Sequence, residues 1–251
     1  SYHTPLGDFT LKVRFTASYG DIHWQIYDNP IQSEYVFHGD PLSEIAILSS
    51  KKEDCIFSED AARKLGLEHF EAIDIGFKPI TKGFTAEPLS ISYSHTPETY
   101  QHFLQQRLFG AKPDNEIRSA AFCFASLEAI PREERNEAVY KLAAFSLSYG
   151  AYINKLDATD KGLTALILFG LPRSEGKTLE RICSFALEAV EALPLITLGI
   201  SCGSVFAGFC GSGEISEYTA LGHPLNLAAR LMSKARAGEV LTDAYLWQEL
   251  H

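Results

Sequence analysis

The chain has 251 residues, of which 46% are apolar and 22% charged, a composition typical of globular proteins and unlike that of disordered ones. Its formal net charge of −10 argues against a nucleic-acid-binding surface, because such surfaces need clustered Lys and Arg side chains. No apolar run reaches the roughly 18 residues that a membrane-spanning helix needs, and no secretory signal opens the chain, so no membrane segment is expected.

An internal repeat is visible along the chain. Gly20-Asp21-Ile22 matches Gly203-Ser204-Val205, and Ser33-Glu34-Tyr35 matches Ser216-Glu217-Tyr218, both at an offset of 183 residues. The further matches are Gly39, Pro41 and Leu42 with Gly222, Pro224 and Leu225, and, at an offset of 184, residues 56–58 with residues 240–242. A repeat this long predicts two domains of similar fold in tandem, able to pack about a pseudo-twofold axis.

The repeat also predicts the domain boundaries. Residues 117–193 precede the matched part of the second copy and have no counterpart in the first, so we expect about 75 residues of the first copy to lie outside this sequence. The prediction is a C-terminal part of a first domain at 1–88, a linker at 89–116 and a second domain at 117–251. Within the linker, residues 97–110 favour a helix and residues 111–116 form a polar break.

The second copy alternates strand and helix patterns. Strands are predicted at 119–127, 151–156, 163–169, 196–202 and 205–210, another begins at 240, and helices are predicted at 131–148, 177–193 and 224–236. Gly203-Ser204 is interpreted as the turn of a hairpin. This order predicts an α+β fold of the ferredoxin-like kind, in which an antiparallel sheet carries helices on one face.

The five cysteines are Cys55, Cys123, Cys183, Cys202 and Cys210. They form no CxxC pair, their number is odd, and most lie in apolar runs, which indicates buried free thiols in a reducing cytosol. We therefore expect a cytoplasmic protein without a zinc site.

A glycine-containing loop after the predicted strand at 163–169 imitates a phosphate-binding P-loop. Five residues separate Gly170 from Gly176 where the motif requires four, and Pro172 removes a backbone donor. An exposed polar turn is the better interpretation of this loop.

The predicted helix at 224–236 carries Asn226 and Arg230, which are four residues apart and share one face. An ordinary surface helix would account for both. The first copy keeps the framework around this helix but has Ser43 and Ile47 at the corresponding positions.

The stretch Glu217-Tyr218-Thr219-Ala220-Leu221-Gly222-His223-Pro224-Leu225-Asn226-Leu227-Ala228-Ala229-Arg230 resembles a signature of class III adenylyl and guanylyl cyclases. In that family it follows a hairpin similar to residues 199–208. The resemblance extends to Ile153-Asn154-Lys155 and to Asp160-Lys161-Gly162 before Phe169-Gly170-Leu171-Pro172, a pattern most similar to the soluble adenylyl cyclases. It implies a pair of cyclase homology domains, the first of them incomplete.

The resemblance implies a function and a site. The enzyme would convert ATP to 3′,5′-cyclic AMP and pyrophosphate, with Asn226 orienting the ribose and Arg230 stabilising charge on the phosphoryl oxygens. Lys155 would donate to N1 of adenine, and the Thr219 hydroxyl would accept from its 6-amino group, so ATP is the expected substrate rather than GTP.

The resemblance also implies two ions, Mg²⁺ or Mn²⁺, held by two carboxylates of the first domain. In the second copy Ala125 stands where the first of these carboxylates would be, and Asp160 is not at the spacing of the second. The ions are therefore expected from the absent segment of the first domain, which is the intramolecular partner, and this chain assayed alone should make no cyclic AMP.

Three alternatives stay open from the sequence. The chain could be a catalytically inactive cyclase-like module that binds a nucleotide or regulates a partner. It could be a purely structural α+β dimerisation pair. A guanylyl cyclase is less favoured, because guanine recognition calls for an acidic residue near the position of Lys155.

Overall fold

The structure, a computed structural model, describes residues 2–4, 7–10, 12–51, 53–80, 103, 114–159, 162–212 and 215–249. The chain divides into two compact units, Ser1–Trp24 with Phe37–Tyr93 and Gln25–Val36 with Ser94–His251. Residues 25–36, which the sequence assigns to the first domain, thus belong to the second unit. The linker helix predicted at 97–110 lies outside the described residues apart from Phe103, and the organisation into two cyclase homology domains stays a prediction.

The described part of the first unit consists of short strands and two α-helices. Its strands are β1 (Tyr2–Thr4) paired with β2 (Gly7–Phe9), and a sheet in the order β3 (Phe15–Ala17), β6 (Cys55–Phe57), β8 (Phe77–Pro79) and β7 (Phe70–Ala72). Its helices are α1 (Asp40–Ser49) and α2 (Glu59–Leu65). The strands β4 (His23–Tyr27) and β5 (Glu34–His38) pair with each other and are shared between the two units.

The second unit contains a six-stranded sheet with helices. Its strands are β9 (Glu116–Ser126), β10 (Ala151–Thr159), β11 (Gly162–Phe169), β12 (Thr197–Ser212), β13 (Ile215–Leu221) and β14 (Val240–Thr242). Its helices are α3 (Arg135–Ser148), α4 (Thr178–Ala192), α5 (His223–Met232) and α6 (Ala244–Glu249). Among the described residues, no helix combines the length and apolar character needed to cross a bilayer.

The topology of the second unit is that of the predicted fold. Its sheet has the order β10-β11-β9-β12-β13, with β14 also on β12, and the neighbouring strands on the main path run antiparallel. The chain order β9-α3-β10-β11-α4-β12 placed in the spatial order β12-β9-β11-β10 is the ferredoxin-like arrangement. The predicted α+β class with an antiparallel sheet is confirmed.

Each face of this sheet has its own apolar cluster. On the first face, α3 and α4 pack with residues such as Leu142, Phe185 and Ile167, all fully buried. On the second face, Phe122 and Leu168 are covered by residues of β13 and α5. The sequence predicts helices on one face only, and the second face is closed because β13 and α5 also bury apolar side chains.

The hairpin predicted around Gly203-Ser204 is wrong. β12 runs without interruption from Thr197 to Ser212 and pairs with β9 from Thr197 to Ala207, so the two glycine-flanked strands are one. Gly203 has a φ of 153°, and a Cβ there would approach Pro224 Cγ to 3.0 Å. Gly203 is therefore explained by the close approach of α5 to the strand, which is a recognised role of glycine within strands.

The helix predicted at 224–236 is shorter in the structure. α5 ends at Met232, where the chain tightens into turns. The amide of Lys234 bonds to Leu231 O, three residues earlier, and the amide of Ala235 is shared between Leu231 O and Met232 O. The site residues predicted on this helix lie within its observed bounds.

The sequence repeat is accompanied by a repeat of local structure. α1 and α5 begin and end at positions that differ by 183, and each follows a glycine and has proline at its start. β3 pairs with β6 in parallel, as the Leu198–Ile200 part of β12 pairs with β14. In these registers Cys55 corresponds to Val240, so the offset after the helix is 185 rather than the 184 read from the sequence.

Candidate functional site

A β-bulge in β10 sets the direction of Lys155. The pairing of β10 with β11 shifts between Ile153 and Lys155, so that Lys155 stands opposite Leu166. Leu166 belongs to the apolar cluster on the second face of the sheet. Because directly paired residues share a face, the extra residue Asn154 brings Lys155 to that face too.

Thr219 reaches the same bulge from β13. Its hydroxyl donates a hydrogen bond of 3.1 Å to Asn154 Oδ1, and Asn154 Nδ2 donates one of 2.9 Å to the backbone oxygen of Tyr218. Asn154 is buried and Thr219 is half-buried. The two residues predicted to contact adenine, Lys155 and Thr219, are therefore linked through Asn154.

The ammonium group of Lys155 forms an ion pair with Asp157, at 3.2 Å from Oδ2. Both side chains are about half exposed, at 55% and 47%. An exposed pair of this kind stabilises by no more than about 1 kcal/mol, so it does not prevent Lys155 from donating to a ligand.

Asn226 and Arg230 lie on the exposed side of α5, one turn apart. The opposite side of the helix is buried through residues including Leu225, Ala228 and Met232. α5 lies so close to β12 that a Cβ on Gly199 would overlap the backbone of Ala228 and Met232. This contact fixes the height of the helix above the sheet and hence the position from which Asn226 and Arg230 project.

All four predicted residues stand on elements that border the second face of the sheet. Lys155 is on β10, Thr219 on β13, and the other two on α5, which β13 joins through Gly222. Within the described ranges, no hydrogen bond or ion pair connects the α5 pair to Lys155 or Thr219. The structure thus links Lys155 and Thr219 through Asn154 and places the other two residues on the neighbouring helix.

A segment from the N-terminal part of the chain borders this site within the second unit. Gln32 Nε2 donates to the backbone oxygen of Ile153 at 3.3 Å and also to the carboxylate of Glu34. Burial raises the pKa of Glu34 to about 8, the hydrogen bond from Gln32 opposes that rise, and the nearby carboxylate of Glu217 adds to it. A carboxyl group that is largely protonated at neutral pH therefore lies beside the strand that carries Lys155.

The described residues do not fit a divalent metal site. No group of three or more His, Cys, Asp or Glu side chains in the described part of the chain could hold an ion. Ala125 is fully buried in β9 between β11 and β12, and Glu128 pairs with Arg135 at 3.2 Å and accepts from the amide of Leu163. Asp160 lies outside the described residues. No catalytic step can be assigned to a metal on these residues.

Asn154 and Glu34 were not predicted as site residues. The signal for Asn154 is a polar residue inside an otherwise apolar strand, directly before Lys155. Glu34 carried no such signal, because its partial burial depends on residues that are distant in sequence.

Comparisons with known proteins give partial matches. No family model matches the chain. The uncharacterized protein Rv1318c of Mycobacterium tuberculosis is 36% identical over 100 residues, which cover 37% of this chain and 18% of that protein. Human adenylate cyclase type 10 is 27% identical over 135 residues, which cover 47% of this chain and 8% of that protein. The chain spans less than a fifth of the length of these curated relatives.

Similar solved structures include nucleotidyl cyclase domains. The catalytic core of a rhodopsin-guanylyl cyclase with converted specificity, in complex with ATPαS, has a TM-score of 0.48 and 19% identity over 55% of this chain and 84% of that one. The adenylyl cyclase CyaB from P. aeruginosa has a TM-score of 0.48 and 21% identity, over 54% and 81% of the two chains. The predicted resemblance to nucleotidyl cyclases is confirmed by the sequence match to adenylate cyclase type 10.

Proposed function

We propose that this chain, a relative of the nucleotidyl cyclases, supplies the nucleotide-orienting half of an adenylyl cyclase active site. The reaction would form 3′,5′-cyclic AMP from ATP, as the ribose 3′-oxygen bonds to the α-phosphorus, loses its proton and displaces pyrophosphate. The observation that supports this proposal is the common location of Lys155, Thr219, Asn226 and Arg230 on elements bordering one face of the sheet.

Lys155 and Thr219 would bind the base. The Lys155 ammonium donates to N1 of adenine after leaving its exposed pair with Asp157. The Thr219 hydroxyl, whose proton is directed to Asn154, accepts from the 6-amino group. This pattern of one donor and one acceptor matches the edge of adenine and opposes that of guanine.

Asn226 and Arg230 would act on the ribose and the phosphates. The amide of Asn226 holds the ribose so that its 3′-oxygen is in line with the bond that breaks, which lowers the entropic part of the barrier. Arg230 donates to the phosphoryl oxygens on which charge grows, and its planar, permanently charged guanidinium suits this better than an ammonium group. Both side chains are exposed on α5 and accessible to a ligand.

The other half of the site would come from the first cyclase domain. Because the described part of this chain lacks a carboxylate set, we assign Mg²⁺ or Mn²⁺ to carboxylates of that domain. The substrate ATP and the free thiols of all five cysteines favour a cytoplasmic location.

A second candidate is a catalytically inactive cyclase-like module that binds a nucleotide or regulates a partner. Ala125 is buried at the place where the resemblance puts a metal carboxylate, so this domain can turn over ATP only with carboxylates from elsewhere, and without them it remains such a module. The two candidates share the base site and differ in turnover.

Complementation separates these candidates. The 251-residue chain is mixed with a separately expressed class III cyclase domain that carries both metal-binding carboxylates, and cyclic AMP is measured with ATP and Mg²⁺ or Mn²⁺. We expect no turnover by either part alone, turnover by the mixture, and a loss of about 100-fold in kcat for Arg230→Lys.

Arg236→Lys is the matched control, because Arg236 is also exposed and lies just beyond α5. It should leave turnover unchanged. ATP binding without turnover in any mixture would favour the inactive module, and robust turnover by the chain alone would contradict the division of the site between two halves.

A further inference from the structure

We infer that Asn154 is a positioning residue for base selection, which fixes the Thr219 hydroxyl as a hydrogen-bond acceptor toward the nucleotide and so selects a 6-amino purine over a 6-oxo purine. The inference rests on the proposed binding of adenine by Lys155 and Thr219. It adds the residue that decides whether the Thr219 hydroxyl accepts a hydrogen bond from the base or donates one to it.

Asn154 is well placed for this role. It is the extra residue of the β10 bulge, between Ile153 and Lys155, and is only 7% exposed. Its side chain bridges β10 and β13, since both of its polar groups bond to consecutive residues of β13, Tyr218 and Thr219.

The direction of each hydrogen bond follows from the chemistry of the groups. The backbone oxygen of Tyr218 can only accept, so the NH₂ group of Asn154 must face it, at 2.9 Å. The carbonyl oxygen Oδ1 then faces Thr219 Oγ1, at 3.1 Å, and has no proton to give. The single proton of the Thr219 hydroxyl is therefore used in the bond to Asn154.

A base that reaches Thr219 consequently meets lone pairs. The 6-amino group of adenine can donate to them, whereas the 6-oxo group of guanine or hypoxanthine carries lone pairs of its own. A polar site that cannot satisfy the wrong ligand discriminates far more strongly than a difference in shape does. The direction of these hydrogen bonds is set by the backbone carbonyl of Tyr218, which can only accept, so no rotation of a side chain can reverse it.

The test measures nucleotide affinity by titration calorimetry on the whole chain. The probes are ATP, inosine triphosphate with a 6-oxo group, and purine riboside triphosphate with no group at position 6. In Asn154→Ala the Thr219 hydroxyl can rotate and donate, so we expect the ATP-to-inosine-triphosphate affinity ratio to fall about tenfold. Purine riboside triphosphate keeps N1 and therefore reports whether the contribution of Lys155 to binding has changed in the variant.

Three controls separate positioning from a merely structural role. Affinity for purine riboside triphosphate should stay within about threefold in Asn154→Ala, because this probe makes no bond to Thr219. Thr219→Ser keeps the hydroxyl and should keep the wild-type ratio. Asn154→Asp keeps the acceptor for Thr219 and should also keep the wild-type affinity ratio. It gives a second variant if Asn154→Ala does not fold.

The outcomes are distinct. A folded Asn154→Ala chain that keeps the wild-type ratio, or an Asn154→Asp chain that loses it, overturns the inference while the proposed base site stands. If the wild-type chain binds none of the three nucleotides, the proposed function fails and the inference fails with it.

Discussion

Gly199 of β12 and Ala228 of α5 are in such close contact that the strand and the helix leave no space for a side chain at position 199. A Cβ there would overlap the carbonyl oxygen of Ala228 and the backbone of Met232. Ala228 itself is fully buried. The helix that carries Asn226 and Arg230 is thus seated directly on the sheet backbone.

Gly199→Ala should therefore destabilise the chain. The added methyl group must push α5 away from β12, and overpacking of this kind costs about 1–3 kcal/mol in the free energy of unfolding. Urea unfolding followed by circular dichroism measures the change. In a complemented enzyme the same variant should also lower turnover, because the displaced helix carries Asn226 and Arg230.

Gly176→Ala is the control for this prediction. A Cβ at Gly176 meets nothing within 4 Å, so only its φ of +75° opposes the substitution, at a cost of about 1 kcal/mol. Equal losses in the two variants would show that the contact with Ala228 is not the cause.

Asp243→Ala should detach α6 from the sheet. Asp243 accepts from Ser201 Oγ at 2.5 Å, from the amide of Cys202 at 3.1 Å and from the amide of Leu246 at 2.8 Å, where it caps the helix. Removing the carboxylate leaves these donors unpaired, and we expect a loss of about 2–3 kcal/mol.

The release of α6 can be followed by the fluorescence of Trp247 in a Trp24→Phe background, since Trp24 and Trp247 are the two tryptophans of the chain. Ser58 caps α2 at the corresponding place, accepting from Ala61 at 3.2 Å, so Ser58→Ala should cost only about 1 kcal/mol and leave this signal unchanged. Unaltered Trp247 fluorescence in Asp243→Ala at moderate urea would contradict the prediction.

Glu34 should make the stability of the chain fall as the pH rises. Its pKa is about 8 in the folded chain and near 4.5 in an exposed glutamate, so the folded state holds the proton more tightly. The resulting stabilisation is complete below pH 4.5 and is lost as the pH rises through 8. Glu34→Gln should remove this dependence. As the pH is raised from 5 to 8.5, the free energy of unfolding of the variant should therefore rise by roughly 2–4 kcal/mol relative to that of the wild-type chain.

Urea unfolding at a series of pH values measures this difference. The exposed Glu191 supplies the matched control, and Glu191→Gln should follow the wild-type curve. Parallel curves for Glu34→Gln and wild type would mean that the Glu34 carboxyl group is well solvated.

Cys123 and Cys202 should resist thiol reagents in the native state. Both side chains are buried, and burial raises the pKa of the Cys123 thiol. Burial, with a smaller contribution from Asp243, raises the pKa of the Cys202 thiol to about 12. Because the thiolate is the reactive form, we expect these two thiols not to react with a chromogenic disulfide reagent at pH 8 until urea unfolds the chain. Peptide mapping identifies the labelled positions, and labelling of Cys123 before unfolding would contradict the prediction.

Much of the second unit could be predicted from local sequence patterns. Apolar runs and helix periodicity depend on neighbouring residues, so strands such as β11 and helices such as α4 were predicted to within about two residues. The 183-residue repeat indicated α1 and α5 as counterparts, and their observed bounds agree. The candidate residues Lys155, Thr219, Asn226 and Arg230 also came from the sequence, because a motif keeps its spacing whatever the chain does elsewhere.

Other features depend on contacts between distant parts of the chain. Gly203-Ser204 resembles a turn locally, yet pairing with β9 keeps β12 extended through it. The bulge that directs Lys155, and the bond from Thr219 to Asn154 across 65 positions, depend on how β10 meets β11 and β13.

The amino-acid sequence by itself determined the ferredoxin-like order of elements, the repeat and the residue types available for chemistry, because these are encoded by spacing along the chain. Only the tertiary structure decided which of those residues share a face, that residues 25–36 join the second unit, and that Glu34 is partly withdrawn from solvent. The physical reason is that burial and hydrogen-bond direction are properties of what surrounds a side chain, and those surroundings come from residues far away in sequence.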